Sequence, residues 1–131
     1  MGTDGTGDAV REAVWVGPSR RDLKAFPSEV QDATGFALYW AQRGERHPNS
    51  KPLKGFGSAG ALEIVEYFDG DTYRTVYTVR MRTAVYVLHA FQKKSTRGIA
   101  TPQRESELIK TRLAWAERIE AERLAQRKKK D

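Results

Sequence analysis

Two adjacent lysines close a run of strand-forming residues in the second half of the chain. Residues 85–91 are rich in apolar side chains, and Gln92, Lys93 and Lys94 come directly after them. Lysines at a strand end usually keep that end solvated, and the alternative is that they hold an anion. Mutual repulsion in a basic cluster lowers the pKa of one lysine, so that it can act as a base. The two lysines are therefore candidates for an anion-binding or acid–base site.

Arg74 and His89 are further residues whose types suit such chemistry. Arg74 belongs to a strand in which alternate side chains share a face, and its alternative role is a cross-strand ion pair with Glu63 or Glu66. A lone histidine in an apolar strand is more often a hydrogen-bonded core residue. His89 can still be the acid or base of a site at neutral pH if it shares a face with Lys93. Their four-residue spacing permits this.

Composition and charge limit the kinds of protein that this chain can be. Its 131 residues suffice for one core, and the absence of cysteine argues against a disulfide scaffold or a zinc–thiolate site. Two histidines make no metal ligand set, so neither a metal nor a cofactor is expected. No membrane span and no signal peptide are indicated, which predicts a cytoplasmic protein. Residues 92–131 hold twelve Lys/Arg and six Asp/Glu, hence the whole net charge of +6, which suggests a polyanionic or acidic partner.

The first half of the chain predicts one short strand and two helices. A strand at residues 14–16 precedes Ser19, which begins a pattern in which a serine side chain caps a helix. Pro27 suits the start of a second helix, and Gly44 suits its C-terminal end. Residues 51–58 then form a basic, glycine-containing loop.

The second half predicts a three-stranded meander and a long helix. The strands are the β-branched and aromatic segments 62–68, 72–81 and 84–91. Asp69 and Gly70, between the first two, are a hairpin signal, and Thr101 with Pro102 opens the helix. The predicted fold class is α+β: an antiparallel sheet, made of the N-terminal strand and the meander, packed by two N-terminal helices and one long C-terminal helix. We expect a disordered leader over residues 1–12, a single domain over 13–125 and a basic tail over 126–131.

Four motifs in order resemble the RelE/HigB superfamily of bacterial toxins, in particular its phage-related, HigB-like branch. They are LKG before the sheet, LE-x-x-E in the first strand of the meander, YR-x-x-Y in the second, and FQKKS…TP at the junction with the last helix. The resemblance covers about residues 14–120. It implies a RelE-like fold and a ribosome-dependent endoribonuclease that contacts rRNA and cuts mRNA on the ribosome. It also implies inhibition by a cognate antitoxin, often with a helix-turn-helix domain.

The resemblance also gives roles to individual residues. RNA cleavage at its own 2′-hydroxyl needs a base, cationic stabilisation of the phosphorane and an acid, and it needs no metal. Arg74 matches the family arginine that contacts the scissile phosphate, and Lys93 and Lys94 match the basic strand end of the active surface. Lys54 and His89 are further catalytic candidates, and Glu66 is expected to support Arg74 by orienting it. The candidates for RNA or ribosome binding are Arg80, Arg97, Lys51 and Tyr77, of which Tyr77 could stack on a base.

One departure from better-known members leaves a second hypothesis open. Their short C-terminal end supplies a tyrosine or a histidine to the active site, whereas here a long helix runs from Pro102 onward. The acid and base assignments of those members therefore do not transfer directly. The alternative to a toxin is a non-catalytic module on the same scaffold that binds nucleic acid or protein, since a fold does not determine a function.

Overall fold

A computed structural model describes residues 10–93 and 102–130 of the chain as a mixed sheet with helices on both faces. The elements in chain order are β1 (Glu12–Trp15), α1 (Ser19–Lys24), α2 (Ser28–Gln42), β2 (Ser50–Pro52), a short 3-10 turn (Gly57–Ala59), β3 (Ala61–Phe68), β4 (Asp71–Thr78), β5 (Ala84–Lys93) and α3 (Gln103–Lys130). The α+β class predicted from the sequence is confirmed. None of the described helices is long and apolar enough to cross a membrane.

The sheet has five strands in the order β1-β5-β4-β3-β2. The three long strands form the predicted antiparallel meander, and β5 lies inside the sheet between β1 and β4. The prediction of a wholly antiparallel sheet is wrong, because β1 pairs with β5 in parallel. Strand β2 was not predicted from the sequence: it overlaps the predicted basic loop and pairs with β3. The strand has only three residues, and its Pro52 argues against a strand, although a proline is tolerated on an edge strand.

The β3–β4 hairpin turns at Asp69 and Gly70, as the sequence predicts. Both residues have positive φ angles, 52° and 85°, and Phe68 pairs with Asp71 across the turn. A two-residue turn of this kind matches the twist of the flanking strands and favours Asp-Gly. The hairpin fixes the register that brings Arg74 and Glu63 onto one face of the sheet.

The helix ends show one correct and one wrong prediction. Gly44 ends α2 as expected, with φ +83° and its N–H donating to the carbonyl of Ala41 at 2.9 Å. Ser19 does not cap α1, since Pro18 holds that position. The buried hydroxyl of Ser19 instead donates to the carbonyl of Val87 at 3.0 Å, which ties the start of α1 to β5.

The two faces of the sheet have separate cores. One face packs against α1 and α2, with Leu23, Phe26, Leu38, Ile64, Tyr73 and Tyr77 among its buried residues. The other face, which we call the α3 face, packs against α3, with Val76, Tyr86, Leu88, Ile109, Leu113 and Ala116 among its buried residues. Because strand side chains alternate, each residue of the meander belongs to one core or the other.

A β-bulge in β5 interrupts that alternation. Val76 pairs with His89 and Tyr77 pairs with Val87, so Leu88 is one residue more than the pairing needs. Leu88 packs in the α3 core, and His89 contacts Glu105 and Arg112 of α3. Both side chains therefore lie on the α3 face. Alternation then resumes and places Lys93 on that face as well.

The boundaries of the folded part differ slightly from the expected ones. β1 begins at Glu12, the last residue of the expected leader. Helix α3 continues to Lys130, through nearly all of the expected basic tail, and is about 42 Å long at a rise of roughly 1.5 Å per residue.

Candidate functional site

Arg74 lies on the α3 face of β4 and is buried. Its Nη1 donates to Oε1 of Glu63 at 3.0 Å, and the two side chains are only 5% and 6% exposed. Glu63 stands opposite Val76 in the sheet, two residues from Arg74 along β4, so the pair is diagonal across two strands. Arg74 therefore forms the cross-strand ion pair with Glu63, and its side chain is not exposed on the face of the strand.

Lys93 ends β5 at the edge of the same group. It pairs with Thr72, and Arg74 pairs with Phe91, so the three side chains of Thr72, Arg74 and Lys93 share the α3 face. Lys93 is half-buried, and this partial burial lowers the pKa of its ammonium group. The charge of Arg74 lowers that pKa further, whereas the carboxylate of Glu63 opposes the shift. A lysine in this position is easier to deprotonate than one in water, which suits a base.

His89 shares the α3 face with Arg74 and Lys93 but is buried beneath α3. Its Nε2 lies 2.5 Å from Oε1 of Glu105, and its Nδ1 lies 2.9 Å from Nη1 of Arg112. Arginine has only donors, so Nδ1 must accept, and the proton sits on Nε2, which donates to Glu105. The ring also stacks on Phe91 with centroids 4.9 Å apart. His89 is held in one tautomer by α3.

Arg112 and Glu120 are buried charges of α3 that sequence reasoning missed. Arg112 also donates to the carbonyl of Leu88 at 3.1 Å, beside the bulge. Glu120 accepts from the hydroxyls of Tyr86 and Thr83 at 2.9 and 2.5 Å, and from two backbone N–H groups at residues 82 and 83. Burial alone would raise the pKa of Glu120, and these hydrogen bonds outweigh burial, so its pKa lies below the ordinary value.

A sequence signal for these two residues did exist. Arg112, Ala116 and Glu120 are spaced by four, which puts both charges on the same stripe of α3 as its apolar residues. Charged residues inside an apolar stripe need partners when the stripe is buried. The partners of Arg112 and Glu120 depend on the register of β5, which the sequence alone does not give.

Two of the predicted site residues are in the wrong place for their predicted roles. Tyr77 is fully buried against α2, and burial raises the pKa of its hydroxyl, so its ring cannot stack on a base. Glu66 pairs with Tyr73 and lies on the opposite face from Arg74, where it accepts from Asn49 at 3.1 Å. Glu66 therefore does not orient Arg74, and Glu63 takes that position.

The remaining predicted residues are spread along the sheet. Lys51 is exposed on β2 opposite Glu63, hence on the α3 face, and Lys54 is exposed in the following loop. Arg80 lies beyond the other end of β4, about 20 Å along the chain from Arg74, and donates to the carbonyl of Ser58 at 2.7 Å. Lys94 and Arg97 lie outside the described residues. Among residues 10–93 and 102–130, no three His, Asp or Glu side chains group as a metal site would require.

Fold and site together define a small basic α+β protein with a charged group on one face of its sheet. A family model described as "Phage derived protein Gp49-like" matches residues 21–114, more than half of the chain. The chain therefore belongs to the Gp49-like family of phage-derived proteins. This agrees with the phage-related side of the resemblance, and it leaves the HigB-like branch as a prediction.

Two further comparisons concern curated proteins and solved structures. No curated protein matches the chain. Among solved structures, the toxin–antitoxin complex RelBE2 of Mycobacterium tuberculosis contains a similar chain, with 21% sequence identity and a TM-score of 0.44. The match covers 72% of this chain and 100% of that one.

Proposed function

We propose that the protein is the toxin of a toxin–antitoxin pair and an endoribonuclease that cuts mRNA on the ribosome without a metal. The toxin class is supported by the family, which is toxin-like. The chemistry is supported by one observation, the position of Lys93 beside the buried Arg74–Glu63 pair. A cognate antitoxin, rRNA and the mRNA are the partners in this proposal, and the cytoplasm is the compartment.

In this proposal Lys93 is the base of the cleavage reaction. Lys93 is partly exposed at a strand end and can reach a phosphate or a 2′-hydroxyl more easily than the buried Arg74 can. Arg74 then acts through the field it exerts on Lys93 and on a developing phosphorane. Glu63 holds Arg74 in place and moderates its charge. His89 has a positioning role, since both of its ring nitrogens already have partners.

The alternative, a non-catalytic binding module, is favoured by a different observation. Three residues predicted to act on RNA, Arg74, Tyr77 and His89, are at most 5% exposed. A toxin-like scaffold with its chemical groups buried could bind nucleic acid or protein without cleaving. The two proposals differ in the effect expected from the removal of the Lys93 side chain.

The test is induced expression in a bacterial host with primer-extension mapping of mRNA ends. Wild-type protein should arrest growth, and Lys93→Ala should reduce cleavage by about a hundredfold or more, as loss of a general base does in other enzymes. Lys24→Ala removes an exposed lysine of α1, on the other face, and should remain toxic. Equal toxicity and equal cleavage by Lys93→Ala, at equal expression and with an unchanged melting temperature, would sink the assignment. Growth arrest without cleavage would favour the binding module.

A further inference from the structure

A cleft of about 590 Å³ opens at the end of the sheet opposite Lys93. It lies between the edge strand β1, the β4–β5 connection and the C-terminal half of α3. Its charged and amide-bearing lining residues are Arg11, Glu12, Arg82, Arg123, Gln126 and Arg127. We call it the arginine cleft. Neither the predicted active surface nor the comparisons assign it a role.

Two of the four arginines are fixed by the fold. Arg11 donates from Nη1 to the carbonyl of Met81 at 2.6 Å and from Nη2 to the carbonyl of Ala41 at 2.8 Å. Arg123 donates to Oγ1 of Thr83 at 3.3 Å and forms an ion pair with Glu12. The neutral carbonyls leave the positive charge of Arg11 uncompensated, whereas Glu12 offsets the charge of Arg123. These contacts hold both guanidinium groups in fixed positions on the wall of the cleft.

The other two arginines are available to a ligand. Arg82 and Arg127 are exposed, and within residues 10–93 and 102–130 neither guanidinium has a hydrogen-bond or ion-pair partner. Among the lining residues in the described part of the chain, Glu12 is the one carboxylate, and Arg123 already neutralises it. The nearby carboxylate of Glu120 is buried, and four protein donors occupy it. The lining therefore keeps a surplus of positive charge.

We propose that the arginine cleft binds phosphate groups of an RNA strand, as an anchor separate from Lys93. Guanidinium groups match phosphate oxygens with two parallel hydrogen bonds, and a concave cationic surface focuses the field on an anion. The choice of RNA over another phosphate source rests on the proposed function.

The distance between the two basic sites favours a polymer over a small anion. Thr83 lines the cleft at the start of β5, and Lys93 ends that strand. At a rise of roughly 3.3 Å per residue, the ends of β5 are about 30 Å apart. One phosphate cannot reach both sites. A single strand of several nucleotides carries a phosphate at each step and can contact both at once.

The experiment is fluorescence anisotropy with a short 2′-O-methyl RNA oligonucleotide, which binds but cannot be cleaved at its 2′ position. Arg82→Ala/Arg127→Ala should weaken binding about tenfold at low salt. It should also lower the slope of log affinity against log salt by about 1.4, for two lost contacts to a single strand. The matched control, Arg20→Ala/Lys24→Ala, removes two exposed cations of α1 that likewise have no partner among the described residues, and should bind as wild type does.

Each other outcome overturns the proposal. If the cleft variant binds RNA like the control, or if wild type does not bind, the cleft is not an RNA anchor. If the variant loses affinity for a poly-glutamate peptide and keeps its affinity for RNA, the cleft serves an acidic protein segment. The result is separate from that of the proposed function, because this binding assay needs no cleavage and the Lys93→Ala growth assay leaves the cleft intact.

Discussion

The guanidinium of Arg74 and the carboxylate of Glu63 form an ion pair inside the protein, 3.0 Å apart, with both side chains about 95% buried. Removing one partner leaves an uncompensated buried charge, which costs on the order of 3–5 kcal/mol. We therefore expect Arg74→Ala to lower the free energy of unfolding by that amount in urea denaturation.

The double variant Arg74→Met/Glu63→Leu is the control for this prediction. Replacing both charges with apolar side chains of similar size should recover most of the loss, because the desolvation cost of the pair disappears as well. A loss below about 1 kcal/mol for Arg74→Ala alone would show that the pair is solvated in solution. Growth assays of Arg74→Ala are informative only beside these unfolding measurements.

The pKa of Lys93 should respond in opposite directions to its two charged neighbours. Its pKa is lowered by partial burial and by Arg74, and Glu63 opposes the shift. Glu63→Gln should therefore lower the pKa of Lys93 further, and Arg74→Met should raise it. An NMR titration of the lysine side chain measures both. Glu29→Gln, an exposed change on α2, should leave the titration of Lys93 where it is. Shifts of the same sign in both variants would contradict the electrostatic account.

His89 should carry its proton on Nε2, and not on Nδ1, in the folded protein. The donor from Arg112 at 2.9 Å requires a bare Nδ1, and the 2.5 Å contact with Glu105 requires the proton on Nε2. Nitrogen NMR shifts of the ring distinguish the two tautomers directly. Arg112→Met should switch off this preference and cost about 1–3 kcal/mol of stability. Arg118→Met, on the exposed side of α3, should do neither.

Part of the free energy of unfolding should depend on pH through the ionisation of Glu120. Its folded pKa is lowered, so its contribution is fully present above the unfolded pKa of about 4.3 and is lost as pH falls through the folded pKa. Glu120→Gln should lose about 1.5–3 kcal/mol at pH 7 in denaturant unfolding, because amide hydrogens then face the donors of Thr83 and Arg82. The gap to wild type should narrow towards pH 3. Glu117→Gln, an exposed neighbour, should show no gap at any pH.

Periodic patterns predicted the meander, its Asp-Gly turn and the long final helix. They also predicted that His89 and Lys93 could share a face. Patterns do not show which face of β4 packs against which helices, so the sequence predicts that Tyr77 stacks on a base although α2 buries it. For the same reason the sequence predicts Glu66 as the support of Arg74, whereas Glu63 has that position in the structure. The two glutamates lie on opposite faces of β3.

Long-range pairing explains the other differences. The parallel contact of β1 with β5 joins segments far apart in the chain, and the three-residue β2 is too short to carry much local signal. The arginine cleft likewise combines residues 11, 82, 123 and 127, which only the folded sheet brings together. Local residue types predict the helices and strands. Which of their residues come into contact depends on the register of strand pairing in the sheet.

The extra residue at Leu88 makes β5 unequally tolerant of changes in length. Removing Leu88 would restore regular pairing and keep Lys93 on the α3 face, at the expense of one apolar side chain in the core. Removing any residue between His89 and Lys93 would instead turn the lysine towards α1 and α2. Deletion of Leu88 should therefore cost stability through lost core packing and leave the basic group in place, whereas deletion of a residue between His89 and Lys93 should remove the lysine from that group. The bulge thus gives β5 one position at which a deletion does not reverse the faces of the residues that follow it.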